Sequence, residues 1–181
     1  MPMELTRYKL TVDQYLQMAE GRILPPDVRC ELIDGEILVM ASMGPPHMAV
    51  VGRAAKLLII ALGDRACVFV QSTMRIGRHS APEPDLAIMA PRDDFYGSRF
   101  AEPSEVLLII EVADSSLSFD RGEKVELYRT AGIAEYWIVN VPDRVIEVHR
   151  GDAAPLVVRR GETLAPLAFP DLMLRADDLL G

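Results

Sequence analysis

The stretch Val106–Val112 reads VLLIIEV and predicts the central strand of the fold. Five apolar residues precede Glu111, a run that suits a strand covered on both faces in the middle of an α/β sheet. A glutamate at the exit of such a strand has two interpretations. It reaches solvent or an arginine, or it is a ligand at the sheet edge where α/β folds place their sites. Residue type alone favours neither.

A second acid stands at the start of another apolar segment, Leu86–Met89. Asp85 follows Pro84, which stiffens the entry to the strand, although a Pro-Asp pair is also common in turns. Asp85 alone would be read as a turn residue. Together with Glu111 on a second strand it supplies carboxylate oxygens, the ligands that Mg²⁺ requires.

A helix predicted over 119–131 adds a cation to this pair. At about 100° per residue, one sector of that helix collects Asp120, Lys124, Leu127, Tyr128 and Ala131. On a surface, an Asp120–Lys124 pair would contribute only about 0.3–0.5 kcal/mol. We favour the interpretation in which Lys124 faces the sheet, orients a water and stabilises phosphorane charge, with Asp120 positioning it.

Two further residues are weaker candidates. Glu31 lies in the first strand of a predicted hairpin, where glutamates are usually solvated. His47 follows Pro45-Pro46 and could simply begin a helix, and a single histidine is a weak indication of a general base.

The rest of the chain predicts an α/β (α+β) fold in a single domain over residues 1–181. A capping box at Thr11 and Gln14 predicts a helix over Val12–Glu20, and Asp34-Gly35 predicts a hairpin turn. The hairpin strands would be 30–33 and 36–40, and a long helix is predicted over His47–Leu62. Further strands are predicted at 66–71, 74–76, 85–89, 106–112, 135–141 and 144–150, with a short strand and a final helical turn after Pro155.

Composition restricts the class of protein. Half of the residues are hydrophobic and 25% are charged, as in ordinary globular domains. Met1–Lys9 has no apolar signal-peptide core, and the apolar runs are too short to span a bilayer, so we expect a cytoplasmic protein without a membrane segment. Cys30 and Cys67 lack the spacing of a zinc site. A net charge of −8 disfavours broad adhesion to nucleic acid. It does not exclude a protein that binds nucleic acid through local basic contacts.

An ordered set of motifs carries a family resemblance over roughly residues 10–180. The set is ELIDGE (31–36), Pro84-Asp85, EVADSS (111–116), Asp120 with Lys124 and Tyr128, and GIAEYWIV (132–139). It resembles the Uma-two family of restriction endonucleases, members of the PD-(D/E)xK nuclease superfamily. The resemblance implies a restriction-endonuclease-like core: a mixed central β-sheet flanked by helices, with an N-terminal helix and a β-hairpin.

The same resemblance implies roles for individual residues. Asp85 and Glu111 would bind Mg²⁺, with Mn²⁺ as an alternative, and Glu31 would be an accessory acid. The usual lysine position, two residues after Glu111, holds Ala113, and Lys124 matches a lysine that has migrated onto the next helix. Supporting roles would fall to Asp120 and Tyr128, and to His47, which matches a histidine seen after the proline-rich turn.

We therefore expect a Mg²⁺-dependent DNA endonuclease, with DNA as its substrate. Self-association into a homodimer would suit the cutting of both strands. A different class of function, a catalytically inactive nuclease-fold binding or assembly module, is favoured by the acidic charge and by the lack of a DNA-binding appendage. Hydrolysis of RNA or another phosphodiester is a third alternative.

Overall fold

A computed structural model describes residues 7–181 of the chain, and these residues form two compact units. The first unit contains the described residues up to Ser42 together with Thr73–Glu83. The second contains Met43–Ser72 and Pro84–Gly181. The single domain over 1–181 stays a prediction. The absence of a signal peptide was predicted from Met1–Lys9, of which residues 1–6 lie outside the described residues.

The first unit begins with helix α1, Val12–Glu20, where the sequence predicts it. Thr11 Oγ1 accepts a hydrogen bond from Gln14 N at 3.2 Å, and Gln14 Oε1 accepts one from Thr11 N at 2.9 Å. This capping box satisfies donors that the first helical turn leaves open. The helix packs Val12 and Tyr15 against a small core that includes Leu32.

The predicted hairpin is confirmed, with β1 at Cys30–Ile33 and β2 at Glu36–Val39. Asp34 and Gly35 both have positive φ, 47° and 81°, as a two-residue type I′ turn requires. The predicted strand over 74–76 is wrong. Gly77, at φ 59°, turns the chain directly after this segment. Ile76 therefore forms only an isolated β-bridge with Ser80, and the segment does not extend into a paired strand.

The second unit is built on a mixed six-stranded sheet in the order β3-β4-β5-β6-β7-β8. The strands are β3 Cys67–Val70, β4 Leu86–Met89, β5 Val106–Ala113, β6 Tyr136–Asn140, β7 Val145–His149 and β8 Leu156–Val158. Only β5 and β6 run parallel, and the other neighbouring pairs are antiparallel. A small antiparallel pair, β9 Thr163–Leu164 and β10 Leu174–Arg175, follows. The central position predicted for the VLLIIEV strand is confirmed.

Helices cover both faces of this sheet. On one face lie α2, Pro45–Leu62, and α5, Ala176–Leu180. Over the other face runs a continuous helical segment made of α3, Leu117–Phe119, a π-helical turn, Asp120–Lys124, and α4, Val125–Thr130. Short 3-10 helices occur at Gly63–Arg65 and Pro103–Glu105.

Helix α2 is strongly apolar. Val50, Ala54 and Leu58 pack into the core, and Ile59 and Ile60 are exposed. Among the described residues, α2 extended to Arg65 is the one helix that length and mean hydropathy, 21 residues and 1.3, would allow to cross a membrane. The core helix of a soluble protein passes the same test.

Successive side chains along β5 point to opposite faces of the sheet, which places Glu111 on the face away from α2. Leu108, Ile110 and Val112 face α2 within the main core. Glu111, between Ile110 and Val112, therefore points to the opposite face, under the α3–α4 segment.

Candidate active site

The β4–β5 register brings the two predicted acids together. Leu86 pairs with Ile110 in an antiparallel ladder, so Asp85, one residue before, lies opposite Glu111, one residue after. Asp85 N donates to Glu111 Oε2 at 3.2 Å. Both acids are buried, with 7% and 4% of their surfaces exposed.

Glu111 has a buried cation beside it. Lys124 Nζ donates to Glu111 Oε1 at 2.8 Å, and Tyr128 Oη donates to the same oxygen at 3.0 Å. The Lys124 and Glu111 side chains are only 4% and 5% exposed, so this ion pair lies inside the protein. Burial, together with the charges of Asp85 and Asp120, raises the pKa of Glu111 to about 7, and Lys124 offsets part of that shift.

Asp85 is held by donors on both of its oxygens. Val112 N donates to Oδ2 at 2.9 Å, and His47 Nε2 lies 2.9 Å from the same atom. Gln71 Nε2 donates to Oδ1 at 3.1 Å. Burial alone would raise the pKa of Asp85, but the contacts with His47, Val112 and Gln71 outweigh it and lower that pKa. Asp85 is thus kept ionised, whereas Glu111 has a pKa near neutral pH.

A π-helical turn carries Asp120 and Lys124. Such a turn takes in one extra residue, and both side chains stay directed at the sheet, each only 3% exposed. Ser116 Oγ donates to Asp120 Oδ2 at 2.5 Å, and Lys124 Nζ lies 5.9 Å from the centre of the Phe119 ring. Leu127 and Ala131, predicted to share this face, are only partly buried.

Gln71 is a contact that the sequence did not predict. It directly follows β3 and has a left-handed backbone conformation, with φ 47°, and its backbone N donates to Asp85 O at 3.1 Å. A non-glycine residue in this region is strained, and such strain is often found at functional sites. A glutamine after an apolar strand gives no signal of it in the sequence.

Glu31 lies in β1 of the first unit and is buried, 3% exposed, where a solvated hairpin glutamate was the simpler interpretation. Its Oε2 accepts a hydrogen bond from Glu83 N at 3.2 Å, and Glu83 pairs with Arg29 at 2.9 Å. Its role as an accessory acid stays a prediction.

The donor set fits a hard divalent cation. Asp85 and Glu111 offer carboxylate oxygens, and Asp120 adds a third buried acid against the single ammonium of Lys124. The raised pKa of Glu111 reflects burial and this surplus of negative charge, both of which disfavour the ionised carboxylate. A bound cation would stabilise the ionised carboxylate. No group of three or more His, Cys, Asp or Glu side chains among residues 7–181 is arranged to hold a metal. A Mg²⁺ ion, which binds through one or two carboxylates and keeps several waters, would have to be held by Asp85 and Glu111.

This electrostatic balance predicts a pH dependence of stability in the metal-free protein. Glu111 has a pKa near 4.5 when unfolded and about 7 when folded, so its protonated form favours folding. Stability should be greatest below the unfolded value and fall by up to about 3 kcal/mol as the pH rises through the folded value. Urea unfolding with a chelator, at about pH 5 and about pH 8, measures this difference.

Glu111→Gln is the matched control for that experiment. The amide cannot ionise, so the loss of stability between about pH 5 and about pH 8 that Glu111 causes should disappear, and the contribution of His149, whose pKa burial lowers, should remain. A wild-type protein with the same pH dependence as Glu111→Gln would contradict the shifted pKa of Glu111.

Known proteins resemble this chain over most of its length. The Uma2 family model, described as "Putative restriction endonuclease", matches residues 12–177. An uncharacterized protein of Synechocystis is 28% identical over 136 residues, which cover 72% of this chain and 75% of that protein. The crystal structure of "a putative nuclease belonging to DUF820" from Anabaena variabilis superposes with a TM-score of 0.76. That match covers 94% of this chain and 97% of the other at 18% identity, and it shows the same fold.

Proposed function

The chain belongs to the Uma2 family, and we propose that it is a Mg²⁺-dependent endonuclease that hydrolyses DNA phosphodiester bonds at Asp85, Glu111 and Lys124. The observation that carries this proposal is the buried contact of Lys124 Nζ with Glu111 Oε1 at 2.8 Å. An ammonium at that place supplies the cation that Ala113, at the usual lysine position of the motif, cannot. It also lies within the same cluster as both carboxylates.

Each residue of the cluster has a task in this proposal. Asp85 and Glu111 would hold Mg²⁺, or Mn²⁺ in its place, which when bound polarises the phosphate and lowers the pKa of a water. Lys124 would stabilise the charge that develops on the phosphorane. Tyr128 fixes the Glu111 carboxylate, and His47 fixes that of Asp85.

The internal hydrogen bonds favour one alternative. Glu111 already accepts from Lys124, Tyr128 and Asp85 N, so the cluster is satisfied without a ligand. A nuclease fold retained as a binding or assembly module would look like this. The homodimer and the cytoplasmic location stay predictions.

Cleavage of supercoiled plasmid tests the proposal. We expect nicked and linear products with Mg²⁺ or Mn²⁺ and none with a chelator. Isothermal calorimetry in parallel should show Mn²⁺ binding. A protein that neither cuts nor binds either metal at millimolar concentration would be the inactive module.

A further inference from the structure

A second buried glutamate lies on the same face of the sheet as Glu111. Glu111 pairs with Ile138 across β5 and β6, and Ile138 pairs with Glu147 across β6 and β7. Residues that pair directly across a sheet point to the same face, and neighbouring strands are about 4.8 Å apart. The backbone of Glu147 therefore lies on the order of 10 Å from that of Glu111. Nothing in the proposed chemistry uses Glu147.

Glu147 is bound by an arginine from the helical segment above it. Arg121 Nε donates to Glu147 Oε2 at 2.9 Å, and Arg121 Nη2 donates to Oε1 at 2.6 Å. Asn140, which is fully buried, donates to Oε1 at 3.2 Å. The hydrogen bonds from Arg121 lower the pKa of Glu147 although burial opposes this, so the carboxylate stays charged. Two parallel hydrogen bonds fix the orientation of the guanidinium as well as its position.

The π-helical turn is thereby attached to the sheet by two ion pairs. Arg121 and Lys124 both belong to this turn, and Lys124 contacts Glu111. Their carboxylate partners stand on β5 and on β7, with β6 between them. Two attachments on different strands restrict both sliding and rotation of the turn.

Apolar packing contributes little to holding this turn. Within the described residues 117–130, the buried side chains are those of Asp120, Lys124 and Tyr128, and none of them is aliphatic. Helices in proteins usually gain their stability from an apolar face. Gly122 lowers the helix propensity of the turn, and π-helical geometry is rare. The geometry of the turn therefore depends on its polar contacts with the sheet.

We propose that Arg121 and Glu147 form a positioning pair, which holds the π-helical turn on the sheet and so sets the place of the Lys124 ammonium beside Glu111. The placement of Lys124 does not rest on the proposed function, whereas its consequence for cleavage does. A displacement of about 1 Å at a reacting group can cost about 10²-fold in rate, so a pair outside the chemistry can control it.

The first arm of the test measures the accessibility of the Lys124 amine in the metal-free protein. A trace of acetic anhydride acylates exposed amines, and mass spectrometry gives the extent of reaction at each lysine. Lys124, 3% exposed, should react slowly, and the exposed Lys56 should react fast. Glu147→Gln removes the charge that holds Arg121, so local opening should raise the rate at Lys124 by about 10-fold or more. The rate at Lys56 should not change.

Two controls separate this effect from a general loss of stability. Arg129→Gln breaks the exposed ion pairs of α4 and should leave Lys124 protected. Cys67, buried in β3, is labelled in parallel with a thiol reagent and should stay protected in every variant. If Glu147→Gln fails to fold, Arg121→Gln/Glu147→Gln replaces it, because that double variant leaves no unpaired charge of this pair.

The second arm measures plasmid cleavage with saturating Mn²⁺. Glu147→Gln should lower kcat by about 10²-fold, because Lys124 is displaced from the reacting group. The KM for plasmid and the affinity for Mn²⁺ should stay close to those of the wild type, because Asp85 and Glu111 remain. Arg129→Gln should cleave like the wild type.

An equal rate of acylation at Lys124 in wild type and Glu147→Gln overturns the proposal. So does a variant in which Cys67 becomes reactive together with Lys124, because the pair then stabilises the whole unit rather than the turn. Local exposure of Lys124 with an unchanged kcat overturns the link to catalysis. Local exposure of Lys124 in a protein whose wild type does not cut plasmid retains the positioning pair and refutes the nuclease.

Discussion

Plasmid cleavage should fall by about 10²–10³-fold when Lys124 is replaced by methionine, the loss expected when one preorganised charge is removed from a developing anion. Methionine keeps most of the length of the side chain and removes only the ammonium. The Nζ of Lys124 is the one basic group that contacts Glu111, so among the described residues no neighbour on that carboxylate could replace it.

The same substitution should also have an effect that is independent of catalysis. Breaking a buried ion pair leaves an uncompensated charge and costs about 3–5 kcal/mol. Without Lys124 the pKa of Glu111 rises further, so the carboxyl takes up a proton and the loss of stability shrinks in acid. Urea unfolding of Lys124→Met should thus show a large deficit near pH 8 and a smaller one near pH 5.

Lys56→Met is the matched control. Lys56 is exposed on α2, so its removal changes the net charge equally but leaves the cluster intact. Cleavage of Lys124→Met at the rate of Lys56→Met would show that Lys124 has no part in the chemistry.

Local signals in the sequence predicted most of the fold. The capping box at Thr11, the Asp34-Gly35 turn and the apolar run before Glu111 each act over a few residues, and all three elements form where expected. The short run at 74–76 failed because a turn at Gly77 decides whether a strand has a partner, and three apolar-rich residues cannot show it.

The candidate site residues could be predicted where a charged residue occurs in a segment that is otherwise apolar and buried. Asp85, Glu111 and Lys124 stand out because charged residues occur among apolar ones, and the sheet register then brings them together. Gln71 could not be found in this way, because an amide in a turn is ordinary in sequence and its strained backbone appears only in three dimensions. The π-helical turn was missed because a helical wheel assumes one constant angle per residue.

Asp85→Asn should reduce the rate of plasmid cleavage by about 10³-fold or more. This loss corresponds to an increase of roughly 4 kcal/mol in the activation barrier. The substitution keeps the size and shape of the side chain but removes the charge that a divalent cation requires. Calorimetry should show that Mn²⁺ binding is lost together with activity. Asp171→Asn, at an exposed aspartate that pairs with Arg65, is the control and should retain both.

The structure also predicts how this variant folds, which separates lost chemistry from lost structure. Asparagine has one acceptor oxygen, so it cannot accept from Val112 N and Gln71 Nε2 on opposite oxygens as Asp85 does, and about 1–3 kcal/mol of stability should be lost. The charge of Asp85 raises the pKa of Glu111, so its removal should lower that pKa and reduce the pH dependence of stability. A folded Asp85→Asn protein that shows this reduced pH dependence yet still binds Mn²⁺ and cuts plasmid would refute the proposal that Asp85 is a metal ligand.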